Sequence, residues 1–296
     1  MISSATPRKS SFKLSHKKGE TMGRIMLAFI LGLFLLGMAA PLHAQTPRER
    51  VVYLNDAGEL VALNPATGES AVWLVYDALL ERSFSFHPAP DASALAIVTR
   101  RGAGEARLAI LETEAGGLPF ETSLYPPNFS PPSAGAGDPR YEMMSAVGEV
   151  AWSPDSSRLA FISGAAGSAD VHLFNRALRQ SEAPISLPQT ATRLSWSSDS
   201  ARLLFSEIFS FGAGTSLTLE GVYLAEVNTG GLTRLALPPN VQQNGLYPIG
   251  WRDATTLYYS ALNFQAFGAS GIYRLDASTG QSQELLPPLV PIAPPI

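Results

Sequence analysis

Four aspartates, Asp91, Asp155, Asp199 and Asp253, each follow an aromatic residue within a few positions. Carboxylates are hard oxygen donors, so a recurring aspartate invites a metal reading. Each one, however, sits in its own short polar stretch, about one repeat from the next. No stretch alternates Asp and Asn as a calcium loop does. An isolated turn aspartate caps its own backbone, and no metal is expected. His87 and His172, the only histidines beyond residue 44, fall in different elements and do not form a ligand set. Glu207 and Glu220 flank one connection. Paired carboxylates are what glycosidases and lyases use, and such a pair needs no local motif. There is no G-x-S-x-G elbow, phosphate loop or dinucleotide fingerprint. No catalytic residue and no cofactor is assigned.

The elements that carry these residues are short apolar runs separated by turn chemistry. In Glu149–Ser163, EVAWSPDSSRLAFIS, an apolar strand, a Ser-Pro-Asp-Ser-Ser turn and a second apolar strand follow one another. Pro154 presets the turn, and Asp155 can bond its own backbone. The unit recurs at Phe84–Val98, Leu194–Ser206 and Ile249–Ala261, each time followed by a second pair of strands. Trp152, Trp196 and Trp251 fall at one repeat position, with Phe86 in the same place in the first copy. The tryptophans are 44 and 55 residues apart, near the roughly 40–50 residues of a four-stranded propeller blade. Alternation such as Val-Tyr-Leu-Ala-Glu-Val has period two, which excludes helical repeats.

The W-S-P-D-S-x-x-L-A-F hairpin, followed by x-Y-x-x-D-x-x-T-G-x, resembles the repeat of TolB-like propellers, also found in prolyl oligopeptidase and tricorn-type propellers. The resemblance covers Arg50–Leu286 and implies an all-β propeller of about five four-stranded antiparallel blades. These are expected near residues 51–75, 82–124, 149–187, 193–237 and 248–286. Neither the N-terminal domain of TolB nor a peptidase domain is expected, and the resemblance carries no activity with it.

Residues 1–44 hold six of the 21 basic residues and one acid. A basic flank, an apolar run from Ile25 to Ala40 and the small residue Ala44 read as an export signal cut after Ala44. The alternative is an uncut membrane anchor, and Met22 offers a second start. The rest of the chain sets 15 arginines against 24 acidic residues, a net charge of −9. An acidic body without a basic stripe excludes nucleic acid as a partner class. The absence of cysteine excludes disulfides, thiolate metal sites and a lipid-modified cysteine.

With the strands of a blade called a to d from the centre outward, the a–b and c–d turns are tight. The b–c and d–a connections are long and emerge on one face. Long connections on a rigid scaffold are where binding residues collect. Phe209 and Phe211 in Ile208–Leu219, with Phe264 and Phe267 in Leu262–Ser270, form either an apolar contact patch or loop packing. Tyr125, Phe129 and Tyr141 in the d–a connection 125–148 form either a lid or a solvated linker. Blade one, Val51–Val75, has only three strands, in the b, c and d places. Leu289–Ile292 in the Pro-rich tail 287–296 is expected to close the ring there. Three functions follow: an exported, non-catalytic protein- or peptide-binding propeller with an unidentified envelope or extracellular partner; a polysaccharide-active enzyme with acids at the channel; and a membrane-anchored sensor or structural component.

Overall fold

Among the described residues nineteen strands, paired only with neighbours in the chain, build five antiparallel sheets. The computed structural model describes residues 50–75, 83–101, 105–113, 119–129, 146–165, 167–210, 217–236, 246–263 and 269–287. The first sheet has three strands, β1 (Val51–Leu54), β2 (Glu59–Leu63) and β3 (Ser70–Val75). The second runs β4 (Ser83–Pro88), β5 (Ala94–Arg101), β6 (Glu105–Glu112), β7 (Phe120–Ser123). The third runs β8 (Val150–Trp152), β9 (Arg158–Ala165), β10 (Ser168–Asn175), β11 (Gln180–Ser181). The fourth runs β12 (Thr190–Trp196), β13 (Arg202–Ser210), β14 (Leu217–Glu226), β15 (Gly231–Arg234). The fifth runs β16 (Leu246–Trp251), β17 (Thr256–Asn263), β18 (Ala269–Asp276), β19 (Gln281–Leu286). This up-and-down order, repeated sheet after sheet, is that of a β-propeller.

The turns follow the local chemistry of the sequence. In three a–b turns the residue after the aspartate is left-handed: Ala92, Ser156 and Ser200 have φ between 58° and 60°. The turn aspartates accept N–H bonds from Ser93 (3.0 Å), Ser157 (3.0 Å), Ala201 (3.1 Å) and Thr255 (2.9 Å), each two residues on. They cap their own turns. Three c–d turns end on a glycine with φ 72–73°, Gly68, Gly230 and Gly280, whose N–H closes the turn at 2.8 Å. In the third sheet Arg179 (φ 51°) stands in that region instead, and the turn is irregular, as its sequence suggests.

The Ser197 hydroxyl, at 2.6 Å, holds the Asp199 carboxyl below the ordinary aspartate range. At Asp155 burial pushes upward, but the Ser153 and Ser157 hydrogen bonds outweigh it and the net shift is again downward. A carboxylate depressed in the folded state stabilises fully above its unfolded pKa of about 3.9, and this contribution is lost as pH falls through the folded value. Melting temperature should therefore drop on acidification below about pH 4, and Asp199→Asn should make that drop shallower. Parallel wild-type and variant curves from pH 7 to 3 would remove the turn aspartates from the acid response.

Sheets pack face on face through the chain. Leu60 of the first meets Leu95, Ile97, Ala109 and Leu111 of the second. A larger core joins the second, third and fourth sheets around Leu108, Leu159, Phe161, Phe174, Trp196 and Phe205. Leu204, Val222 and Leu224 of the fourth meet Leu257, Tyr259 and Leu275 of the fifth. The tryptophans join blades as well as fill space. The Trp152 indole donates to His87 O (2.8 Å), Trp196 to Ala151 O (2.9 Å) and Trp251 to Ser195 Oγ (3.0 Å). Each reaches the inner strand of the preceding blade. Two turn serines repeat the pattern, Ser156 Oγ accepting from Asp91 N–H and Ser200 Oγ from Asp155 N–H.

Phe86 departs from its tryptophan counterparts. It is 41% exposed. The reason is the three-stranded first sheet: among the described residues no strand lies beyond β1 to give Phe86 an inner-strand neighbour. The tail expected to supply that strand lies, after Pro287, outside the described residues. The export or anchor segment 1–44 lies outside them too. Among the described residues no helix is long and apolar enough to cross a membrane.

Candidate functional site

The long-connection face is where strand a enters and strand b leaves each blade. Two of these connections are shorter than the sequence suggests. β13 and β14 stay paired to Ser210↔Leu217, and β17 and β18 to Asn263↔Ala269. Phe209 is thus a strand residue, paired with Thr218, and not a loop residue. Phe211, Phe264, Phe267 and Tyr141 lie outside the described residues.

The display of Tyr125 and Phe129 to a partner needs correction. Tyr125 is buried and its ring stacks on half-buried Phe129, with centroids 4.4 Å apart. Its hydroxyl accepts from Arg100 Nη1 at 3.3 Å, and Arg100 Nη2 donates to Val147 O. The pair belongs to the core between the second and third sheets. An apolar ring after a short strand is covered by the approach of the next blade, which the local sequence does not reveal.

Sequence reasoning missed a polar chain that links three inner strands, β8, β12 and β16. Glu149, just before β8, reaches the backbone of β12. Its Oε2 accepts from Arg193 N–H (2.8 Å) and Thr192 Oγ1 (3.1 Å), and its Oε1 from Leu194 N–H (2.6 Å). These donors are free because β12 bulges between Thr192 and Ser195, with Arg193 left-handed at φ 61°. A bulge turns backbone N–H groups out of the ladder. Arg193 in turn reaches β16. Its guanidinium lies 3.7 Å from the centroid of the Tyr247 ring, and Nη1 donates to Leu246 O at 3.2 Å. Burial pulls the Arg193 pKa down from its ordinary value, with Tyr247 and Glu149 offsetting only part of that. The available signal was a charged residue three places before the tryptophan in two repeats, Glu149 before Trp152 and Arg193 before Trp196.

The acidic pair weighed for hydrolysis is differently placed. Glu207 is buried, its Oε1 accepting from Gln189 N–H (3.0 Å) and its Oε2 from the Tyr223 hydroxyl (2.8 Å). At Glu220 it is the backbone carbonyl that accepts, from Arg234 Nη2. Glu207 therefore ties the start of β12 to β14, with each carboxylate oxygen accepting from a structural donor. His87 bonds Ser85 Oγ at 3.0 Å, and His172 stacks on Phe161 at 5.1 Å; burial lowers the pKa of both. Among the described residues no group of three His, Asp or Glu side chains is placed to hold a metal ion.

On the short-turn side, a cavity of about 590 Å3 is lined by residues including Glu112, Asp155, Arg158 and Arg176. Arg176 there donates to both oxygens of Glu112, to Asp91 Oδ2 (3.3 Å) and to Ser93 O (3.2 Å). The Glu112 hydrogen bonds lead the causes that raise its pKa. This cation is spent in joining the second and third blades.

Fold and site together define a β-propeller protein with a polar chain that links three of its inner strands. Among solved structures the chain is similar to dipeptidyl peptidase 4 of Porphyromonas gingivalis, with TM-score 0.51 and 12% identity over 80% of this chain and 38% of that one. It is also similar to TolB of Acinetobacter baumannii (TM-score 0.42, 11% identity, 81% of this chain, 52% of that one). A third is the β-propeller domain of the Trilobed protease of Pyrococcus furiosus (TM-score 0.47, 9% identity, 80% and 66%). The chain thus spans about half of that TolB and less of the peptidase, and at such identities the likeness is one of fold. No protein-family profile matches the sequence. No curated protein matches it either.

Proposed function

We propose that the protein is an exported, non-catalytic β-propeller that binds a protein or peptide through its long-connection face. The observation that carries this reading is how the acids of that face are used. Both oxygens of Glu149 and of Glu207 are taken by structural donors, so these carboxylates hold strands in place instead of converging on a substrate. In sequence, the connections of that face carry Phe211, Phe264 and Phe267, with Phe209 at the strand end before them, the composition of a contact surface. Its apolar anchors are Phe209, Phe211, Phe264 and Phe267. Export rests on the N-terminal pattern of basic flank, apolar run and Ala44.

Two measurements test it. The paired change Phe209→Ser and Phe264→Ser should leave melting unchanged and abolish capture of the partner cross-linked in the cell envelope. Loss of folding would place these rings in packing, and release of oligosaccharides from a polymer substrate would replace binding with catalysis. N-terminal sequencing of the protein from cells should begin at Gln45; a start at Met1 or Met22 in the membrane fraction would mean an anchor.

A further inference from the structure

Among the described residues the cation at the centre of the inner-strand chain forms no direct ion pair, and Glu149 acts on it only through its field. A guanidinium carries five N–H donors in a planar fork. At Arg193 one donor is given to Leu246 O, and Tyr247 both covers one face of the guanidinium and interacts with it through its hydroxyl. The side chain nearest in charge, Glu149, has its two oxygens on the N–H groups of Arg193 and Leu194 and on the Thr192 hydroxyl. No ion pair joins Arg193 to a carboxylate among the described residues. Three other arginines of the propeller are ion-paired: Arg176 with Glu112 and Asp91, Arg202 with Glu226 and Arg158 with Glu182.

The position is also held firmly. Arg193 is half-buried, its backbone is fixed by Glu149 in a left-handed bulge, and its side chain is fixed by the Tyr247 ring. A stacked, half-desolvated guanidinium with open edge donors is pre-organised for a planar anion, and a carboxylate matches it through two parallel bonds. Its guanidinium lies at Leu246 and Tyr247, the first two residues of β16, where that strand enters from its d–a connection on the face proposed for binding. The charge of the body selects the kind of anion. With 24 acids against 15 arginines beyond residue 44, a polyanion is repelled as a whole, whereas one carboxylate on an otherwise uncharged ligand is not.

We propose that Arg193, stacked on Tyr247 and positioned by Glu149, is the recognition residue for a carboxylate of the bound peptide. The inference rests on the reading of this face as a peptide-binding surface. The carboxylate comes from a free C-terminus or from an Asp or Glu side chain, and either presents the same two oxygens. Glu149 and Tyr247 act through Arg193: one sets its backbone, the other its ring-facing plane.

The test uses the full chain and a library of N-acetylated heptapeptides, each synthesised as free acid and as C-terminal amide, with and without Asp and Glu. Wild type, Arg193→Met and Arg193→Lys are compared, with melting curves to confirm folding. Wild type should retain only peptides with a carboxylate, and its removal should weaken binding about tenfold or more. Loss on amidation identifies the C-terminus as the source, and loss on Glu→Gln or Asp→Asn identifies the side chain. Arg193→Met should weaken the same peptides equally and then be indifferent to removal of the carboxylate, the mark of a direct pair in a double-mutant cycle. Arg193→Lys keeps the charge without the fork. It should fall between the two and serves as the variant if Arg193→Met does not fold. Equal binding of peptides with and without a carboxylate overturns the inference and leaves the binding face standing. Capture of no peptide by folded wild type overturns the reading of the face and the inference with it.

Discussion

Trp196→Ala is expected to lower unfolding stability by about 3–5 kcal/mol, the range for truncating a buried large aromatic. The ring is 6% exposed and lies in the core that joins the third and fourth sheets. Its removal also withdraws the indole donor from Ala151 O, 45 residues earlier. Trp196→Phe separates the two effects. It keeps most of the apolar volume and leaves the carbonyl without its donor, at a cost of about 1 kcal/mol for the bond plus the lost ring area. Phe86→Ala is the control at the equivalent repeat position. With 41% of its surface in water and no inner-strand neighbour described, Phe86 should cost less than about 1 kcal/mol. Urea unfolding of the three variants decides the matter. Similar losses for Trp196→Ala and Phe86→Ala would mean that repeat position, and not burial, sets the contribution.

Glu149→Ala is expected to cost about 3 kcal/mol and to disorder the β12 bulge. One carboxylate serves three donors there, two of them backbone N–H groups. Charge-assisted bonds contribute about 1.5–3 kcal/mol each, and deleting the acceptor leaves donors that the ladder cannot satisfy. The three bonds act as a unit, so their losses do not simply add. Glu149→Gln retains one acceptor oxygen and should fall between alanine and wild type. The local signature is faster hydrogen exchange at the amides of Arg193 and Leu194, with strands of the second sheet unchanged. Unchanged exchange at those two amides would show that the bulge is held by the strand pairing alone. Peptide binding should weaken with the bulge, because the Arg193 guanidinium is aimed by its backbone.

The sequence by itself determined the sheets and their turns. Asp155 bonds the N–H of Ser157, Asp199 that of Ala201, and Gly68, Gly230 and Gly280 close c–d turns. All of these interactions span a few residues, so the residue types present specify them before any packing occurs. Strand pairing between chain neighbours follows from the same hairpins, which is why the five sheets were legible.

Only the tertiary structure decided what meets across blades. Glu149 finds Arg193 at 44 residues, and Arg193 finds Leu246 at 53. Such contacts depend on how one sheet is rotated onto the next, and no local propensity encodes that rotation. The same reason buries Tyr125 beneath the approach of the third blade and leaves Phe86 in solvent beside a three-stranded sheet. Phe86 and Trp196, at one repeat position, thus receive opposite environments, because burial is conferred by the neighbouring blade and not by the strand that carries the ring.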